Sequence, residues 1–153
     1  AEGIQGYRRA TSQAGPTDAY AHEPIQISRV ELLNSGQPSL GVFQSGANAA
    51  LRVSYTASRP VPSPDFRVEI HDANGTLCFG TVASGLLGTG ETTGAGTVEL
   101  ALRLDLVPGC YMFSVGILKP LGRGAYDLHQ KAYPFSIDAD RRITGIASLS
   151  HAW

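Results

Sequence analysis

Apolar residues recur at every second position in short runs along this chain. Phe66, Val68 and Ile70 are separated by Arg67 and Glu69 and followed by His71, while Tyr111, Phe113, Val115 and Ile117 are separated by Met112, Ser114 and Gly116. Val98, Leu100, Leu102 and Leu104 repeat the pattern, as do Leu51, Val53 and Tyr55, and Tyr133, Phe135 and Ile137. A period of two marks strands with one face against a core. Ile25 to Leu33, Thr76 to Val82 and Ile143 to Leu149 bring the expected strands to about eight, at intervals set by turn residues. The predicted fold is all-β, an immunoglobulin-like antiparallel β-sandwich.

The intervening segments support that reading. Residues 1–23 carry small and charged residues without a period and read as a flexible linker or tail, leaving 24–153 for the sandwich. Asn34-Ser-Gly-Gln-Pro38, Asp72-Ala-Asn-Gly75 and Pro108-Gly109 are turn clusters. Pro60, Pro62 and Pro64 forbid helix and hold their segment extended. Residues 83–96, with five glycines, read as a long mobile loop, and Tyr126 and His129 fall in a second, polar loop.

Composition narrows the function more than the fold. The 153 residues carry a net charge of −1, and their 12 basic residues are scattered, so the footprint of a nucleic-acid or anionic-membrane binder is missing. No stretch has the roughly 18 to 20 apolar residues of a membrane-spanning helix. Cys78 and Cys110 are too few for a disulfide framework and have no ligand-spaced neighbours. Free thiols and a single bridge both stay open at this point, although an immunoglobulin-type bridge would want a Trp packed on it and the only Trp is Trp153. The chain opens Ala1-Glu2-Gly3 rather than with Met, which reads as a processed protein or a fragment.

Catalytic patterns are weak. Glu69 and Asp72 point to opposite faces by parity, Glu91 and Asp127 stand on different loops, and no pair is set to flank a glycosidic bond. Asp127-Leu-His129 offers an orienting carboxylate and a base but no nucleophile beside them, and the four histidines lack metal-ligand spacing. There is no phosphate-binding loop, and Lys119 and Lys131 are the only lysines. The expectation is a binding module without catalytic residues, metal or cofactor.

Alternation also says what faces away from the core. Arg67, Glu69 and His71 on one strand and Met112 and Ser114 on its expected neighbour point outward, making a shallow trough with hydrogen-bonding walls. Such a surface suits a saccharide, which offers many hydroxyls and weakly apolar ring faces, and Tyr126 and His129 are candidates to stack on a ring. The same alternation also fits the solvated side of a half-buried sheet, with Tyr126 anchoring its own loop.

The order of several pieces carries a resemblance. Ile-x-x-Val-Glu-Leu-Leu-Asn near the start, Ser45-Gly46 before Leu51-Arg-Val-Ser-Tyr55, Phe79-Gly-Thr81, Pro108-Gly-x-Tyr111, Tyr126-Asp-x-His129 with Tyr133-Pro-Phe135, and the closing His151-Ala-Trp153 span roughly Ile25 to Trp153. Together they resemble the C-terminal carbohydrate-binding domain of Wzt, the nucleotide-binding subunit of O-antigen polysaccharide ABC exporters. That resemblance implies a cytoplasmic domain, peripheral to the inner membrane of a Gram-negative bacterium. It further implies an upstream ABC ATPase domain and a transmembrane exporter subunit as partners, and O-antigen polysaccharide, as repeat or modified chain end, as ligand. It also implies a homodimer, for which the C-terminal strand Ile143 to Trp153 is the natural pairing element. The alternative is an extracellular immunoglobulin-like adhesion or structural module that binds protein.

Overall fold

The computed structural model describes residues 18–88, 90–138 and 152. Nine strands stand among them: β1 (Ile25–Asn34), β2 (Gln37–Pro38), β3 (Val42–Phe43), β4 (Ala47–Pro62), β5 (Asp65–Asp72), β6 (Leu77–Ala83), β7 (Glu91–Leu104), β8 (Gly109–Leu118) and β9 (Ala125–Ile137). They form a four-stranded sheet in the order β2-β1-β4-β7 and a five-stranded sheet in the order β3-β9-β8-β5-β6. Pairing is antiparallel except for β3 beside β9. The predicted β-sandwich is therefore the observed fold. β2 and β3 are two-residue additions in the β1–β4 connection, and the expected strand Ile143 to Leu149 lies outside the described residues.

The core forms where the apolar positions of both sheets meet. Ile25, Ile27, Leu51, Val53 and Tyr55 face Phe66, Val68, Ile70, Phe113, Val115 and Ile117 across the interior. Phe135 stacks on Phe113 and Tyr111 at ring-centroid distances of 4.7 and 5.4 Å and meets Phe43 edge-on. The Tyr111 hydroxyl donates to the Val107 carbonyl at 2.6 Å, tying the turn that launches β8, as the tyrosine corner does in immunoglobulin-like sandwiches. Cys78 and Cys110 are free and exposed.

Two expected loops are strand. The long loop shrinks to the connection between β6 and β7, because β7 starts at Glu91 and pairs Thr92 with Val61 beyond an irregularity in β4. Its glycines misled for a packing reason: the Tyr55 side chain fills the space that a Cβ on Gly96 would take, so the strand needs a residue without one there. β9 likewise begins at Ala125, well before Tyr133, and Tyr126 and His129 belong to it.

The chain is held where it leads into β1. Residues 18–23 of the expected flexible tail are tied down: Asp18–Tyr20 is a 3₁₀ turn, Gln26 donates to the Tyr20 carbonyl, and Glu23 pairs with Lys119 after β8 at 2.7 Å. The Lys119 ammonium also lies 5.6 Å from the centre of the Tyr126 ring.

Candidate binding face

β5 and β8 are neighbours in full register, as alternation requires. Arg67 faces Gly116, Glu69 faces Ser114 and His71 faces Met112. On the other side of β5, Arg67 faces Val82, Glu69 faces Gly80 and His71 faces Leu77. Phe66, Val68 and Ile70 are buried between them, so Arg67, Glu69 and His71 share the outer face of the five-stranded sheet with Met112 and Ser114. The structure thus brings together five of the seven residues expected at the site.

Steric detail shapes this face. Gly80 has no side chain, and Glu69 leans over it, with its Cγ 3.5 Å from where a Cβ would stand. Gly116 is instead covered, since Leu128 Cδ1 comes within 3.0 Å of the corresponding position. The floor is open toward β6 and closed toward β9, with exposed Leu77 and Val82 along the open side. Ser114 is buried; its hydroxyl accepts the Lys131 backbone N–H at 2.8 Å.

The charges here differ from those on the opposite surface of the sandwich. On the outer face of the four-stranded sheet, Arg52 stands in register between Glu31 and Glu99, and its guanidinium lies 3.0 Å from Glu99 and 4.0 Å from Glu31. Arg29 completes that cluster against Glu31 at 3.1 Å. Arg67 has a valine and a glycine as cross-strand neighbours, and Glu69 a glycine and a serine. Among the described residues, neither side chain has an ion pair or a hydrogen bond. The Nδ1 atom of His71 is buried without a partner. Polar groups so placed have unfilled hydrogen-bonding capacity.

Tyr126 and His129 do not join this face. Both are buried, at 7% and 4% exposure, so neither ring is open to stack on a sugar. Val115 faces His129 and Ile117 faces Asp127, which turns this polar pair toward the interior. There Asp127, fully buried, accepts the N–H of Ile27 on the opposite sheet at 2.8 Å and that of Leu128 at 2.9 Å. His129 Nε2 lies 3.5 Å from the same carboxylate, and its Nδ1 shares a short hydrogen bond with the Tyr133 hydroxyl. Burial first, and then the nearby Asp127 charge, push the Tyr133 phenol well above its ordinary range. The acid–x–histidine pattern of residues 127–129 is thus an internal brace between the sheets. The polar residues gave this away in part, but their partner on β1 stands 100 residues earlier in sequence.

The Wzt C-terminal domain family model matches residues 17–149. No curated protein sequence matches the chain. Among solved structures, the crystal structure of the C-terminal domain of wzt superposes with a TM-score of 0.75 at 12% identity, covering 92% of this chain and 91% of that one. β-Glucuronidases of Parabacteroides merdae and Bifidobacterium dentium each align with a TM-score of 0.49, at 9% and 16% identity, covering 74% and 75% of this chain and 14% and 18% of theirs. With the sandwich and a family match over most of its length in agreement, the chain belongs to the Wzt C-terminal domain family.

Proposed function

We propose that this domain recognises O-antigen polysaccharide without catalysis, and that the outer face of the five-stranded sheet is its binding surface. Membership of the Wzt C-terminal domain family supports a carbohydrate-binding role in O-antigen transport. The observation that carries the choice of surface is the unpaired state of Arg67 and Glu69, where the opposite sheet neutralises its own charges.

Arg67, Glu69 and His71 supply donors and acceptors to sugar hydroxyls, Met112 packs against a ring, and Ser114 sets the edge of the trough. Each net hydrogen bond contributes about 0.5–1.5 kcal/mol, so a handful gives micromolar to millimolar affinity. Binding of that strength suits a domain that must release its cargo. In this reading the domain follows an ABC ATPase domain at the cytoplasmic side of the inner membrane, works with a transmembrane exporter subunit, and couples a finished glycan to export. The protomers pair through Ile143 to Trp153.

The test is a titration of the folded domain with O-polysaccharide of its source strain and with a foreign polysaccharide, read by NMR shifts. Saturable, strain-specific binding that perturbs residues 67–71 and 112–114 is expected. Arg67→Ala with His71→Ala is expected to weaken it at least tenfold at unchanged melting temperature. Unchanged affinity in that double variant rules this surface out.

A further inference from the structure

The β8–β9 pairing carries an irregularity at the centre of this face. Val115 faces His129 and Phe113 faces Tyr133, so three residues of β9, Gln130, Lys131 and Ala132, stand opposite Ser114 alone. The excess is accommodated by Lys131 in the left-handed region, at φ +49°, a conformation that costs a non-glycine residue energy. The bulge is pinned by the bond from the Lys131 N–H to the Ser114 hydroxyl.

The side chain then runs along the face. Lys131 Nζ comes to the turn after β5, 3.3 Å from where a Cβ on Gly75 would stand. That turn is itself fixed by the Asp72 carboxylate, which accepts the N–H groups of Asn74 and Thr76 at 2.9 Å. Between Ser114 and the turn lie Met112 and His71. A strained backbone, a hydrogen bond to a face residue and an ammonium at the turn after β5 converge on one residue.

We infer that Lys131 is a further contact residue of this face, its side chain lying along the His71–Met112 end and donating from its ammonium to the bound saccharide. The inference rests on the glycan-binding reading for its ligand but not for its geometry. An alkyl stem against the face and a charged head at its rim is the usual division of labour in a lysine side chain. The strain at φ +49° is then the cost of laying that side chain along the outer face.

The experiment uses three variants of the folded domain. In the free protein, backbone amide shifts are compared by NMR between wild type and Lys131→Met, and the turn at Asp72–Gly75, which the Lys131 ammonium reaches, is expected to shift. With O-polysaccharide, Lys131→Met is expected to bind about tenfold more weakly and Lys131→Arg within about threefold of wild type. Lys131→Gly, which relieves the left-handed backbone, is expected to bind as weakly as Lys131→Met while melting no lower than wild type. If Lys131→Met binds like wild type while the Arg67, His71 double variant does not, the inference falls and the binding face stands. If wild type fails to bind but the Asp72–Gly75 amides respond to Lys131→Met, the glycan reading falls and the placement of Lys131 stands. Unchanged amide shifts in that turn overturn the placement in either case.

Discussion

The two outer surfaces of the sandwich use the same residue types for opposite ends. On the four-stranded sheet, Glu31, Arg52 and Glu99 lie in one row across β1, β4 and β7, acid to base to acid. On the five-stranded sheet, the row through Arg67 reads Val82, Arg67, Gly116 and Leu128, and the row through Glu69 reads Gly80, Glu69 and Ser114. One surface satisfies its charges within itself, and the other leaves them to be met from outside. Counting charged residues on a strand would not separate the two; the identity of the cross-strand neighbours does.

A third polar set, inside the sandwich, gives the strongest way to sharpen this contrast. Asp127→Ala leaves the Ile27 and Leu128 N–H groups without their acceptor in the buried interior. We expect a loss of about 3 kcal/mol in urea unfolding, because unsatisfied buried groups forfeit their full desolvation cost. Glu69→Ala, with no partner to abandon, is expected to stay within about 0.5 kcal/mol of wild type. Equal effects from the two would break the distinction between braced and available polar groups.

Next in size is a response to alkaline pH. The Tyr133 phenol titrates higher in the folded protein than in the unfolded chain, so folding favours its neutral form. That contribution is complete below the unfolded value near pH 10 and is lost as pH rises beyond it, at up to about 1.4 kcal/mol per pH unit. Urea midpoints between pH 8 and 11.5 are expected to fall at the alkaline end. Tyr133→Phe flattens the fall in part, leaving the share of Tyr111, whose phenol burial also raises.

The smallest effect concerns the opposite surface. Arg52→Ala removes a half-exposed pair with Glu99 and is expected to cost about 0.5 kcal/mol, less at high salt, with glycan affinity unchanged. A loss of glycan binding in Arg52→Ala would place the ligand on the four-stranded sheet.

Much of this was legible in the sequence. The rows of Arg67, Glu69 and His71 against Ser114 and Met112 need only alternation and the adjacency of two strands in an immunoglobulin-like order, and both held. The first half of β9 was not legible, because Asp127 and His129 are polar residues on an inward face, where pattern reading expects apolar ones. Their burial depends on an N–H of β1 that no local signal announces. Lys131 was missed for a related reason: a side chain that travels along a face from a bulge has no period to betray it. The start of β7 was hidden by Gly94 and Gly96, the second of which makes room for Tyr55 on the neighbouring strand.

The ion pair between Glu23 and Lys119 bears on mechanics. Lys119 stands at the turn joining β8 to β9, the strands that carry Ser114 and Lys131, while Glu23 stands just ahead of β1. The pair thus ties the segment ahead of β1 to the β8–β9 turn by a route that does not pass through the packed core.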